Sequence, residues 1–327
     1  MPELRYEKIG GQTWGTYYQI TLAHDGKLAI KDSITQILAD FDDAVSTYVT
    51  ESQITKFNKS ETGITMNSVE DKYFAPVFTR SKELLATTNG YLDASVMPLL
   101  NYWGFGYQEG RVITAVDSVE VAKLKKLTRL ASIIRREQGD RVHYQKSVPG
   151  VEMDFSALAK GYGIDIIAQF LSAHNIKNYL IDIGGEARAR GVNESGKSWT
   201  LAINKPKADS EYTTQELVIS LINASIATSG NYREMITVDG KQFGHIVNPK
   251  TGFPGRSDVL SATVIATDCM TADGLATACV AAGMEEAKKL LAKHSSVSAC
   301  LIYDGNGDEK LEKHYVGGFE NFVLVEN

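Results

Sequence analysis

A carboxylate and a hydroxyl lie four residues apart near the start of one predicted helix, at Asp273 and Thr277. That spacing places both side chains on one face of the helix. Their oxygens are hard ligands, which suit Mg²⁺ better than Zn²⁺. The amides and the positive dipole end of the helix N-terminus favour phosphate. We therefore predict a magnesium and phosphate site here, although an Asp–Thr pair at this spacing is also common on helix surfaces.

A histidine, His245, precedes this helix and is a candidate general base, because imidazole exchanges a proton near neutral pH. It lies in a predicted strand over 243–247, and prolines and glycines at 248–254 predict the turn that follows. A second strand is predicted at 260–266, and Thr271 can cap the helix predicted over 271–283. A histidine in a strand is also often a hydrogen-bonded structural residue.

A second junction of the same kind is predicted at 151–175. A short strand over 151–154 runs into a helix that stops at Asn175, and Asp154 and Lys160 flank its entry. A lysine at a strand–turn–helix junction resembles a phosphate cradle in outline, without a Walker pattern. Further on, Gly184 and Gly185 either let backbone amides approach a ligand or form a tight turn.

Composition and charge exclude several classes of protein. The chain has 327 residues, of which 43% are hydrophobic and 23% charged, as in an ordinary globular protein. Its net charge of −6 gives no general attraction to nucleic acid. The three cysteines form no Cys-x-x-Cys pair and predict no disulfide framework. No apolar run reaches the roughly 18–20 residues of a membrane span.

The elements that must position these residues are predicted from periodicity. Helices are predicted at 28–45, 52–58, 69–88 and 118–127, and again at 155–175, 271–283 and 285–293. Strands are predicted at 17–23, 130–136, 141–147, 151–154, 179–183, 199–203, 216–222, 234–238, 243–247, 260–266, 298–303 and 321–325. Hairpins with segregated helices predict an α+β fold, which we interpret as a single two-lobed domain over 1–327.

The motifs taken together resemble the ApbE family of FAD:protein FMN transferases, in collinear order along nearly the whole chain. They are Trp-Gly-Thr at 14–16, Ser-Thr-Tyr at 46–48, Tyr-Leu-Asp at 91–93, Pro-Leu at 98–99 with Trp-Gly-Phe-Gly at 103–106, the Asp-to-Gly run at 154–161, Asp-Ile-Gly-Gly at 182–185, Ser-Gly-Asn-Tyr at 229–232, His-Ile-Val-Asn-Pro-Lys-Thr-Gly at 245–252, and Thr-Ala-Asp-Gly-Leu-Ala-Thr at 271–277.

The resemblance implies an ApbE-like fold of mixed or antiparallel sheets with flanking helices, and it implies roles for individual residues. The implied metal ligands are Asp273, Thr277 and the backbone carbonyl of Ala157. His245 is the implied base. The implied FAD contacts are Trp14, Tyr48, Tyr91, Leu92, Asp93, Asp154, Lys160 and Val247. Trp14 stands where the family has Met. Ala276 stands where some relatives carry an acidic residue, and this difference leaves the number of metal ions open.

The activity implied by the resemblance is Mg²⁺-dependent transfer of FMN from FAD to a Ser or Thr hydroxyl of an acceptor flavoprotein bearing a Ser/Thr-Gly-Ala-Thr type motif, with release of AMP. Two alternatives stay open: a Mg²⁺-dependent FAD pyrophosphatase that gives FMN and AMP, and a flavin-binding protein without turnover. The family also implies a periplasmic or cell-envelope location, with tethering through a lipoprotein leader that this sequence lacks; the alternative is cytoplasmic.

Overall fold

The computed structural model describes residues 5–26, 29–108, 113–206, 214–231, 235–255, 258–304 and 310–326. Eight α-helices occur within these ranges: α1 Ile30–Val45, α2 Gln53–Lys59, α3 Asp71–Thr87, α4 Met97–Trp103, α5 Ser118–Lys125, α6 Ser156–Ala173, α7 Cys269–Ala282 and α8 Met284–Ala292. Three residues used in the sequence analysis lie outside the described ranges: Leu28, where a predicted helix begins, Glu234, where a predicted strand begins, and Tyr232 of the Ser-Gly-Asn-Tyr motif.

The strands of the described ranges form one large sheet and three small ones. They are β1 Arg5–Thr13, β2 Thr16–His24, β3 Gly63–Asn67, β4 Ile133–Gln138, β5 Arg141–Lys146, β6 Tyr179–Ile183, β7 Glu186–Arg190, β8 Trp199–Asn204, β9 Gln215–Leu221, β10 Ala224–Gly230, β11 Met235–Val238, β12 Lys241–Gly244, β13 Val259–Ala266, β14 Ser298–Tyr303, β15 Glu312–Val316 and β16 Val323–Glu326. None of the helices in this part of the chain has the length and apolar character needed to cross a bilayer.

The large sheet has eight strands in the order β1-β2-β6-β7-β10-β13-β14-β15, and every neighbouring pair is antiparallel. The small sheets are β3-β5-β4, β16-β9-β8 and the hairpin β11-β12. Segregated helices on antiparallel sheets confirm the predicted α+β class.

The two faces of the large sheet cover different layers, because side chains alternate along each strand. On β13, Val264 joins the core that includes α7, whereas Ile265 joins the core shared with β8 and β9. On β14, Leu301 and Ile302 divide in the same way. The sheet therefore lies between α6 and α7 on one face and the three-stranded sheet β16-β9-β8 on the other.

Helix α6 packs along α7, and both carry many small residues. An alanine Cβ at Gly161 of α6 would lie 2.4 Å from the backbone oxygen of Cys269 in α7. Glycine is therefore required for the observed approach of the two helices, because a backbone atom cannot rotate away as a side chain can. This close packing places the first turns of α6 and α7 side by side.

The predicted strand over 151–154 is wrong. The segment is extended but pairs with a side chain instead of a strand: the buried Asn58 amide donates to the Met153 carbonyl at 2.8 Å and accepts from the Met153 amide at 2.7 Å. Asp154 then donates its backbone N–H to the carbonyl of Ala94. Side-chain bonds of this kind satisfy buried backbone groups as a sheet would.

Other differences are smaller. Strands β1, β3, β7, β10 and β15 were not predicted, and the strand predicted over 243–247 ends at Gly244. Helix α4 was not predicted either. The glycines at 184–185 form a tight turn between β6 and β7, with positive φ at both. The three cysteines, Cys269, Cys279 and Cys300, are free and buried.

Candidate active site

The N-cap residue of α7 lies three positions before the predicted one. Asp268, not Thr271, is the N-cap residue, and its carboxylate accepts a hydrogen bond from the Thr271 amide at 2.8 Å. The correction moves the helix start to Cys269, because Asp268 is extended and its short side chain reaches back to the first turn. With this start, Asp273 lies in the second turn and Thr277 in the third, four residues apart on one face.

Asp273 is a buried carboxylate, 3% exposed. Its Oδ2 accepts a hydrogen bond from the Gly161 amide of α6 at 3.0 Å, which the close approach of the two helices permits. Burial raises the pKa of Asp273 well above its usual value, and the charge of Glu186 raises it further, while Lys160 and the Gly161 amide partly oppose the shift. A second cation beside Asp273, in addition to the Lys160 ammonium, would therefore stabilise the charged form of the carboxylate.

Lys160, one turn into α6, forms an ion pair with Glu186 at the start of β7, with 2.8 Å between Nζ and Oε1. Burial favours the neutral amine, but the charges of Glu186 and Asp273 outweigh it and raise the pKa of Lys160 above its usual value. For Glu186, burial raises the pKa of the carboxyl group, and the Lys160 charge opposes this shift only in part. The ammonium is thus the positive charge that two buried carboxylates share.

These residues line one cavity of about 390 Å³. Eight of the predicted site residues are brought together there: Tyr48, Asp154, Ala157, Lys160, His245, Val247, Asp273 and Thr277. The cavity is lined as well by Glu186, Ser156 and Tyr107, which the sequence analysis did not select.

Hydroxyl groups and a second carboxylate also line the cavity. Thr277 Oγ1 lies 3.0 Å from Ser229 Oγ of β10. Asp154 precedes α6 and accepts hydrogen bonds from the amide and hydroxyl of Ser156, at 3.2 and 2.8 Å. Burial raises the pKa of Asp154, and those two bonds lower it in part. Asp154 is therefore held in one orientation at the helix entry.

His245 and Tyr48 line the same cavity. His245 follows β12 directly, and its ring lies edge-on to Phe105, with centroids 6.4 Å apart. Tyr48 follows α1, and its side chain is 74% exposed. Val247 is buried and pairs with Pro254 in an isolated bridge.

Four predicted FAD contacts do not line this cavity. Trp14 packs edge-on against Phe41, with centroids 5.3 Å apart. Leu92 is in the core, and Asp93 accepts bonds from the amide and hydroxyl of its neighbour at position 95. The Lys250 ammonium lies 4.3 Å from the Tyr91 ring centroid. Each of these four residues has a structural role where it lies. Their contact with FAD stays a prediction.

The oxygen atoms around Asp273 fit a hard cation. The described ranges contain no group of three or more His, Cys, Asp or Glu side chains that could hold a metal. A cation here would therefore rely on the Asp273 carboxylate, the Thr277 hydroxyl, a backbone carbonyl such as that of Ala157, and water or substrate oxygens. Mg²⁺ is typically held by one or two carboxylates with substrate phosphates, whereas Zn²⁺ prefers nitrogen and sulfur.

The ApbE family sequence profile matches residues 14–302. The FAD:protein FMN transferase of Haemophilus influenzae is 34% identical over 310 residues, covering 93% of this chain and 89% of that protein. The chain belongs to the ApbE family.

Relatives and solved structures agree with this assignment. The FAD:protein FMN transferase of Escherichia coli K12 is 32% identical over 91% of this chain and 84% of its own length. The flavin transferase ApbE from Vibrio cholerae superposes with a TM-score of 0.84 at 31% identity, covering 98% of this chain and all of that one. The resemblance found in the sequence and its ApbE-like fold are thereby confirmed.

Among the cavity residues that the sequence analysis did not select, Glu186 forms an ion pair with a predicted site residue, Lys160. The signal for it was present: a glutamate directly after two glycines, at the start of a strand whose next residue is apolar. A carboxylate at a buried strand end requires a partner. That partner, Lys160, lies 26 residues away in sequence, so no local pattern could have supplied it.

Proposed function

We propose that this chain is an FAD:protein FMN transferase. It moves FMN from FAD to a Ser or Thr hydroxyl of an acceptor flavoprotein. The hydroxyl oxygen attacks the phosphorus of the FMN half, the pyrophosphate P–O bond to AMP breaks, and AMP leaves with that bond's electron pair. The observation that supports this most is one cavity lined by a buried carboxylate, an ammonium and an imidazole, at Asp273, Lys160 and His245.

The chain's own residues supply positioning and charge, which is most of what phosphoryl transfer requires. Lys160 would bind the non-bridging oxygens of the pyrophosphate. The first amides of α7 do not serve the predicted phosphate site, because those of Cys269 and Met270 donate to Asp165 and that of Thr271 donates to Asp268. Tyr48 would stack on a ring of FAD at the mouth of the cavity. Asp273, Thr277 and the Ala157 carbonyl would hold Mg²⁺, which when bound neutralises charge on the pyrophosphate.

His245 would accept the proton of the acceptor hydroxyl as the new phosphoester bond forms. Imidazole is suited to this role because its ordinary pKa lies near the working pH. His245 follows β12 and lines the cavity that also contains Asp273 and Lys160. We propose an acceptor segment of the Ser/Thr-Gly-Ala-Thr type.

The test is intact-mass spectrometry of a peptide with this motif after incubation with the protein, FAD and Mg²⁺, with AMP measured in parallel. We expect a mass gain equal to FMN on the peptide and an equal amount of AMP. A peptide with Ala in place of the acceptor residue, and a reaction with EDTA, are the controls. AMP and FMN without a mass gain would identify a pyrophosphatase instead, and intact bound FAD would identify a flavin-binding protein.

His245→Ala separates a base from a binding residue. We expect the transfer rate to fall by about 10²-fold or more, with FAD affinity nearly unchanged, because loss of a general base removes a contribution of that size. The measurements are single-turnover transfer by mass spectrometry and FAD binding by fluorescence quenching. A comparable loss of FAD affinity would show that His245 binds FAD and is not the base.

A further inference from the structure

The cavity is lined by two carboxylates and one ammonium, those of Asp273, Glu186 and Lys160, and the ammonium forms an ion pair with Glu186. Asp273 and Glu186 are both buried, and Lys160 is the ammonium beside them. Within the described ranges, the ion pair of Lys160 closer than 4.0 Å is the one with Glu186. The charge of Asp273 nevertheless acts on Lys160 as well. One ammonium is therefore near two carboxylates and contacts the one that is not a predicted metal ligand.

Glu186 is the fixed member of its ion pair. It follows the tight turn at Gly184 and Gly185, where positive φ values of 62° and 104° favour glycine. Its strand, β7, is hydrogen-bonded to β6 on one side and β10 on the other. The Glu186 side chain is 5% exposed. A rigid central strand thus defines where the carboxylate lies, whereas Lys160 has a flexible four-carbon chain.

The second oxygen of Glu186 is buried without a hydrogen-bond partner among the described residues. Lys160 is therefore the cationic partner of the Glu186 carboxylate, beside the backbone amide of Glu186 itself, and the stability of the carboxylate charge depends on both contacts. Conversely, without the Glu186 charge, Asp273 would be the remaining carboxylate whose charge acts on the Lys160 ammonium. An ion pair between Lys160 and Asp273 would occupy the carboxylate that the cation needs.

We infer that Glu186 is a positioning residue that holds the Lys160 ammonium away from Asp273 and so leaves the Asp273 carboxylate available to a divalent cation. The inference rests on the proposed Mg²⁺-dependent function. It assigns Glu186 no contact with the cation. Its consequence is that Glu186 and Lys160 are coupled in their effect on cation affinity.

The experiment is a double-mutant cycle on divalent-cation affinity, measured without FAD by calorimetry with Mg²⁺ and by electron paramagnetic resonance with Mn²⁺. Glu186→Gln keeps the size of the side chain and removes its charge. We expect affinity to fall by about tenfold or more in the otherwise native protein, which is typical for partners that orient metal ligands. In a Lys160→Met background, the same substitution should change affinity by less than about threefold.

Glu216→Gln is the matched control, because Glu216 is a buried glutamate paired with Lys313 at 2.6 Å, outside the cavity. It should lower the unfolding temperature without changing cation affinity. A crystal structure of the Glu186→Gln variant should show Lys160 Nζ within 4 Å of an Asp273 oxygen, the separation at which an ion pair forms.

Equal losses of affinity in both backgrounds would overturn the inference, because Glu186 would then act directly on the cation. A loss of the same size in the Glu216 variant would overturn it too, since general destabilisation would be the cause. If the native protein transfers FMN and binds the cation while the cycle shows no coupling, only this inference fails. If the native protein binds no divalent cation, the inference and the proposed metal dependence both fail.

Discussion

The contact between α6 and α7 at Gly161 can be tested by adding one methyl group. Gly161→Ala would place a Cβ 2.4 Å from the Cys269 oxygen and 2.8 Å from the Cα of Met270. Both are backbone atoms of α7, so relief requires the helices to separate by about 1 Å, which is the overlap relative to ordinary van der Waals contact. That movement would break the bond from the Gly161 amide to Asp273.

The expected cost can be worked from these contacts. Replacing a glycine inside a helix by alanine gains about 1 kcal/mol of helix propensity. Overpacking against backbone costs about 1–3 kcal/mol, and losing a hydrogen bond to a buried carboxylate costs about 1.5–3 kcal/mol. The net loss is roughly 2–5 kcal/mol, or a fall of about 5 °C in unfolding temperature for a chain of this size. Mg²⁺ affinity should fall as well, because Asp273 loses its orienting donor.

Gly274→Ala provides a matched control on the other helix. Its Cβ would meet only side-chain ends, those of Leu84 at 2.5 Å and Leu158 at 3.3 Å, which can rotate. We expect it to cost less than Gly161→Ala and to leave Mg²⁺ affinity unchanged. The measurements are thermal unfolding by circular dichroism and calorimetric Mg²⁺ titration. A Gly161→Ala protein with native stability and native affinity would refute the argument that this glycine sets the helix separation.

Three further outcomes are expected. Asp273→Asn should leave the unfolding temperature unchanged or higher while Mg²⁺ binding is lost, since burial disfavours the charge that the cation needs; a destabilised variant in calorimetry would contradict this. Asn58→Ala should cost about 2–4 kcal/mol in urea unfolding, because two backbone groups of Met153 lose their partner; a cost below about 1 kcal/mol would show that water replaces it. Burial lowers the pKa of Lys146 to about 8. Above pH 8 the unfolded chain therefore binds more protons than the folded one, and the free energy of unfolding rises up to about pH 10. This rise, about 1–2 kcal/mol after allowing for solvent contact, should be absent from urea unfolding of Lys146→Met.

Local patterns predicted the helices well because the spacing of apolar residues carries the information. In α1 the buried positions Ile30, Ile34, Leu38 and Phe41 recur at helical spacing. The placement of Asp273 and Thr277 on one face of α7 follows from the same rule. Strand β10 was missed because it is built from small and polar residues, which have little strand preference.

The pairings between distant segments could not be predicted from local patterns. The strand predicted before Asp154 has the right composition, but its hydrogen bonds go to Asn58, 95 residues earlier. Glu186 and Lys160 come together only through the packing of α6 on the sheet. A motif match has a different limitation, which Trp14 illustrates. The match aligns Trp14 with a family motif, but it does not predict the residues that Trp14 contacts, which are Phe41 and Gly163.

The bond between Gly161 and Asp273 joins residues 112 positions apart, which has a consequence for biosynthesis. Helix α6 is complete long before α7 has been translated, and its small-residue face then has nothing to pack against. Such long-range contacts make folding slow and leave apolar surface exposed in the meantime. The cavity cannot capture flavin or a cation on a nascent chain, so substrate binding begins only once synthesis has passed Thr277 and the last helices have docked.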